Sequence, residues 1–149
     1  MKFSEFIAES IIDIPRKDYS RTVFDKFKSD KPVLKSHIKN MIEKQLKIFE
    51  KIAPIKDYKL IGSILTKRYR KDADLDINVL FDADEATHEK LKKSSIAANG
   101  KKVSGSNHPI NYFVIIDKKT FDRANELSDG VYNIKTDKLE KSAKNLKFN

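Results

Sequence analysis

Asp74 and Asp76 flank Leu75 at the head of a run, Ile77-Asn78-Val79-Leu80-Phe81, that has the composition of a strand. Side chains alternate between faces along a strand, so the two carboxylates point the same way while Leu75 and Ile77 enter a core. Paired carboxylates offer hard oxygen ligands that suit Mg2+ or Mn2+, held partly by protein and partly by the phosphates of a bound nucleotide. Upstream, Gly62 and Ser63 close the apolar run 58–61. Glycine lets the backbone approach a phosphate, and exposed N–H groups with the Ser63 hydroxyl can hydrogen-bond its oxygens. Between the two lies a basic loop carrying Lys67, Arg68, Arg70 and Lys71, placed to neutralise phosphate charge. The chemistry in view is phosphate handling beside a divalent ion.

Taken together, the stretch 60–81 resembles the signature of the polymerase-beta-type nucleotidyltransferase superfamily. In that signature a hydrophobic-Gly-[Gly/Ser] turn is followed after about ten residues by Asp-hydrophobic-Asp-hydrophobic. A Gly-Ser pair alone means nothing, and an Asp-x-Asp alone occurs at many solvated strand ends. Their combination, with apolar runs on both sides and a basic loop between, is far more specific. The resemblance implies transfer of a nucleoside monophosphate from an NTP to a hydroxyl acceptor. Asp74 and Asp76 would bind the metal; Gly62 and Ser63, with Lys67, Arg68, Arg70 and Lys71, would bind the nucleotide. The acceptor, whether nucleic acid, protein or small molecule, stays open. Small members of the superfamily include antitoxin-like modules that modify a protein, which is one alternative.

The resemblance also asks for a third carboxylate early in the neighbouring strand, and that position falls on Asn111, which is neutral and cannot accept a proton. Asp117 has the right parity, but six strand residues span roughly 20 Å. His108 is nearer, with Pro109 leaving its direction undetermined, and Asp72 shares the parity of Asp74 and Asp76. Another alternative follows: a catalytically inactive nucleotide-binding or nucleic-acid-binding protein of the same fold.

The chain must supply the elements that hold these residues. Its 149 residues are enough for one domain with a single core, and 36% charged against 39% hydrophobic residues describe a folded, heavily solvated chain. A net charge of +9 favours a polyanionic partner without identifying it. The absence of cysteine excludes disulfides and thiolate chemistry. No apolar run approaches membrane-spanning length, so no membrane partner is expected and the chain reads as cytoplasmic in its host cell.

In chain order, Phe3, Phe6, Ile7 and Ile11 fall at helical spacing. The ordinary reading is a short amphipathic helix. The same residues resemble the capsid-targeting peptide of internal head proteins of T-even-like phages, which implies cleavage after Glu9, a targeting peptide over 1–9, a domain over 10–149, and packaging in a phage head interior. Residues 12–31 read as a linker and a short helix, with Tyr19, Val23, Phe24 and Phe27 as anchors. Pro32 opens a helix with Leu34, Ile38, Met41, Ile42, Ile48, Phe49 and Ile52 on one side, stopped by Pro54. Strands are expected over 58–61, 74–81 and 109–116, a helix from the cap Asp84 through Ala98, a turn-rich basic loop over 100–107, and a helix over 117–128. His88 is expected to be solvated. Residues 130–134 read as an edge strand, and the tail after Asp137 as an apolar stripe of Leu139, Ala143 and Leu146 among lysines recurring every third residue from Lys135. The fold expected is α/β (α+β), a small mixed sheet with helices packed on it.

Overall fold

The computed structural model describes residues 15–144. The amphipathic segment and the cleavage site after Glu9 lie outside them.

Two-residue strands β1 (Phe24–Asp25) and β2 (Val33–Leu34) form a small antiparallel ribbon. The helix α1 (Ser36–Glu50) follows, then β3 (Ile55–Ile61), a 3-10 turn over Ser63–Leu65, β4 (Leu75–Phe81), α2 (Glu85–Ala98), β5 (Lys101–Lys102), β6 (Pro109–Ile115), α3 (Lys118–Leu127), β7 (Gly130–Asn133) and β8 (Lys138–Ser142). Six strands make one mixed sheet in the order β5-β6-β4-β3-β7-β8. Only the β4–β6 pair is parallel, because α2 carries the chain between them. The expectation of a small mixed sheet with packed helices holds.

β4 is central, and six of its seven residues are buried, including Asn78. A strand covered on both faces loses the polar alternation of a half-solvated one. Its odd-numbered side chains face α1, whose buried stripe is Ile38, Ile42, Leu46 and Phe49. Phe49 meets Phe81 edge-on at 6.0 Å and Tyr112 at 5.5 Å between ring centroids, distances at which such pairs are attractive. On the opposite face Asn78 donates to Asn125 Oδ1 on α3 at 3.0 Å. That polar tie holds α3 over the end of the sheet that carries Asp76.

The helices α2 and α3 start where the sequence places them, with Asp84 and Asp117 accepting hydrogen bonds from the N–H groups of Thr87 and Thr120. Elsewhere tertiary contacts override local pattern. The helix expected from Pro32 begins at Ser36, because Leu34 pairs with Phe24 and its N–H donates to the buried Tyr132 hydroxyl at 3.0 Å. No helix forms over residues 15–31; Val23 and Phe24 are fully buried there, with Phe24 against the Tyr132 ring. The first strand begins at Ile55 rather than Tyr58, and Lys101–Lys102 pair with Ile110 and Pro109 within the expected loop.

The tail is also different from the expectation. Residues 130–134 are not a sheet edge: β7 lies between β3 and β8. The segment after Asp137 is strand β8, reached by a turn in which Asp137 takes φ 55°. Pairing with β7 and the Lys59–Glu140 ion pair at 2.6 Å hold it extended. His88 is not solvated either: its Nε2 lies 3.0 Å from the Val114 carbonyl, so the ring caps an outer-edge acceptor of β6. Asn99 caps a donor of the same edge two residues earlier, its Oδ1 accepting from Tyr112 N–H at 2.7 Å. Side chains from α2 thereby cover the edge that the short β5 leaves open.

Candidate active site

The site is built where β3 ends and β4 and β6 begin. Ile61 is the register partner of Asp76, and Asp76 in turn of Asn111. After Ile61 the chain must turn away, and Gly62 does so at φ 108°, ψ −177°, a backbone region essentially reserved for glycine. A Cβ on Gly62 would sit 3.9 Å from Asp76 Oδ2, so this turn lies directly beside the carboxylate.

Gly62 is held from behind by the link between α3 and β7. Its N–H donates to the Ser128 hydroxyl at 2.9 Å and approaches the Gly130 carbonyl at 3.1 Å. Ser128 passes its own proton to that carbonyl at 2.8 Å. Gly130 can come this close only because it lacks a side chain: a Cβ there would lie 2.4 Å from Leu65 Cβ and 2.9 Å from Gly62 O. The Gly62 N–H is therefore engaged within the protein, which corrects the expectation that it is exposed to phosphate. The Ser63 N–H and hydroxyl make no hydrogen bond among the described residues, and Ile64 and Leu65 anchor the turn in the core.

Asp76 is the second residue of β4, on the same face as Asn78, whereas Asp74 precedes the strand and is exposed. Among the described residues the Asp76 atom Oδ1 is buried and has no hydrogen-bond partner. Burial, and then the charge of Asp74, push the Asp76 carboxyl up to about 6, with a hydrogen bond from the Asn111 side chain pulling the other way. A buried carboxylate oxygen without a donor is costly unless a cation completes it. The two aspartates thus fit a divalent ion.

Asn111 lies on β6 as the register partner of Asp76. Its Oδ1 accepts from Gly100 N–H at 3.1 Å. Each stand-in considered for a third carboxylate has a contact of its own in the fold. His108 is buried, and its Nδ1 donates to the Ala73 carbonyl at 2.8 Å, the tautomer following from the acceptor. Asp117 caps α3, and Asp72 lies at the surface beside Arg70 at 3.6 Å. Among the described residues no group of three or more His, Cys, Asp or Glu is arranged to hold a metal ion.

The basic loop is partly structural. Lys67 lies over the Tyr19 ring at 5.3 Å, and Arg68 donates from Nε to the Lys144 carbonyl at 2.6 Å. Arg16 reinforces the loop from Nε to the Tyr69 carbonyl at 3.0 Å. Arg70 and Lys71 remain exposed. The loop is therefore strapped down by segments that precede α1 and follow β8.

The sequence model of the nucleotidyltransferase domain matches residues 42–142, from the middle of α1 to the end of β8, and so includes every residue of this site. The chain belongs to the nucleotidyltransferase domain family. No curated protein and no solved structure matched it. Within this nucleotidyltransferase domain, sequence reasoning missed Ser128, Gly130 and Gly100 as supports of the site, and treated His108 as a ligand candidate rather than as the clamp on Ala73. Ser128-Asp129-Gly130 and Asn99-Gly100 were legible as turns. Their contacts span 66 residues for Ser128 and Gly62, and 11 for Gly100 and Asn111.

Proposed function

We propose that this nucleotidyltransferase domain transfers a nucleoside monophosphate from an NTP to an acceptor hydroxyl, with Mg2+ or Mn2+ held by Asp74 and Asp76. The observation that carries the reading is the buried, partnerless Asp76 Oδ1 beside Asp74, at a sheet end closed by Gly62. A divalent ion bound there would supply Lewis-acid stabilisation of charge developing on the triphosphate. Ser63, whose N–H and hydroxyl make no hydrogen bond among the described residues, is the residue available to orient phosphate oxygens, and Arg70 and Lys71 are the exposed cations of the basic loop. In the reaction the acceptor oxygen forms a bond to the α-phosphorus, the bond from that phosphorus to the bridging oxygen breaks, and pyrophosphate leaves. The hydroxyl proton passes to water, since the Asn111 carboxamide is not a base. The net charge of +9 suits the polyanionic donor and, equally, a nucleic-acid acceptor.

A second reading rests on Asn111 itself: a domain that binds nucleotide and metal without turning it over. Pyrophosphate release with each of the four NTPs and Mg2+ or Mn2+ separates the two. Release that falls at least 100-fold in Asp74→Ala/Asp76→Ala supports transfer. Metal-dependent nucleotide binding without release supports the second reading, and release indifferent to both aspartates refutes the site.

No helix among the described residues is long and apolar enough to cross a membrane.

A further inference from the structure

We infer that this chain carries a binding site for single-stranded nucleic acid, in a basic cavity that residues 15–35 build against the loop before β4. The cavity has a volume of about 630 Å³ and gathers Arg16, Lys17, Arg21, Lys28 and Lys35 around a single carboxylate, Asp18. The rest of its lining is aromatic: Tyr19, Phe27 and Tyr69. Tyr69 apart, these residues precede the stretch 42–142, so the cavity lies mostly outside the matched domain.

The charges are uncompensated. Among the described residues, the side chains of Lys17, Arg21, Lys28 and Lys35 make no hydrogen bond and no ion pair, whereas Lys39, Lys59 and Lys118 elsewhere meet carboxylates at 2.6–2.8 Å. Cations gathered in a concavity repel one another, and a polyanion relieves that repulsion while releasing its own counterions. The rings decide which polyanion fits. The Arg16 guanidinium lies 4.2 Å from the centroid of the half-buried Tyr69 ring, and Phe27 is half-buried in the same lining. Guanidinium planes and aromatic rings are surfaces on which unstacked bases rest, and a duplex keeps its bases out of such a cavity. Acidic side chains and lipid headgroups match the lysines but offer no flat face to the rings.

The wall is fixed by the fold. Tyr19 N–H donates to the Phe27 carbonyl at 3.0 Å and the Tyr19 hydroxyl to Ser142 Oγ on β8 at 3.2 Å, while Arg16 Nε holds the Tyr69 carbonyl at 3.0 Å. Tyr69 precedes Asp74 by five residues, so their Cα atoms lie at most about 18 Å apart. A strand seated here is therefore kept close to the candidate active site.

Fluorescence anisotropy of the full chain with labelled oligo-U and oligo-dT of about 12 nucleotides, in EDTA and without NTP, tests this apart from the transferase reading. At least one of the two strands is expected to bind about tenfold or more tightly than a duplex of the same length. Lys17→Ala/Lys28→Ala removes two exposed cations that are unpaired in the fold. It is expected to weaken binding about tenfold at about 0.1 M salt, and to make the plot of log K against log salt less steep by about 1.4. Lys90→Ala/Lys93→Ala, the same loss of charge on exposed positions of α2, is expected to leave both nearly unchanged. Tyr69→Leu is expected to weaken binding about fivefold or more with the salt slope kept. The inference is overturned by no binding, by a duplex bound as tightly as the strand, or by equal effects of the two lysine pairs. It is also overturned if polyglutamate or phosphatidylserine vesicles displace the strand as well as unlabelled strand does, or if a Tyr69→Leu chain shown by urea unfolding to be folded binds like the parent.

Discussion

Replacing Asp76 by asparagine is expected to make the metal-free protein more stable while removing its capacity to bind the ion. The folded protein raises the Asp76 carboxyl from 3.8 to about 6. At about 1.4 kcal/mol for each tenfold change in proton affinity, that difference corresponds to about 3 kcal/mol. Asp76 stands at the rim of the sheet and is only partly buried. Water at the rim reduces the figure, and about 1–3 kcal/mol is the range expected. The folded state binds this proton more tightly than the unfolded chain, so the penalty is absent when both states are protonated. It grows as pH rises from about 4 to about 6 and is complete above that. Urea unfolding of parent and Asp76→Asn at pH 7.5 should show the variant ahead, with a melting temperature higher by about 2–10 °C. Near pH 3.5 the two should coincide. Saturating Mg2+ should reverse the order, since a ligand at 100 times its dissociation constant adds about 2.7 kcal/mol to the parent and little to the variant. A variant no more stable than the parent at pH 7.5, or a gain that persists on acidification, would refute the account of Asp76 as a carboxylate held in an unfavourable place for a cation.

Two further changes probe the supports. Gly130→Ala drives a methyl group into Leu65 Cβ and Gly62 O, and is expected to cost about 3 kcal/mol in urea unfolding and to weaken nucleotide binding by displacing the Gly62 turn; unchanged stability would mean that the backbones of β7 and the turn are not in close contact. Tyr132→Phe removes the acceptor of the buried Leu34 N–H and a hydrogen bond to Asp137 Oδ1. A loss of about 1–3 kcal/mol is expected with nucleotide binding intact, and a neutral result would show that the β1–β2 ribbon does not depend on that hydroxyl.

What the sequence determined by itself are the features encoded in a few adjacent residues. The helices α2 and α3 announce themselves by Asp84 and Asp117 as caps, and α1 by its apolar stripe. Gly62 is needed for a φ that only glycine tolerates, so the Gly-Ser turn was readable as a turn, and the family resemblance pointed to Asn111 on the neighbouring strand. What only the tertiary structure decided are the matters that depend on residues far apart in the chain. Lysines spaced by three from Lys135 say nothing about β8, because the pairing with β7 that makes it a strand is a long-range event. His88, a surface residue by its charged neighbours, is turned inward by the open edge of β6. Pro32 can start a helix, but Tyr132 offers the Leu34 N–H a buried acceptor, and the strand wins. The site divides in the same way. Asp74, Asp76, Gly62 and Ser63 are legible because strand alternation and backbone conformation are local rules, and Asn111 through the family resemblance alone. The orphaned Oδ1, the Ser128–Gly130 brace and the Gly100 bond to Asn111 exist only once the ends of three strands meet.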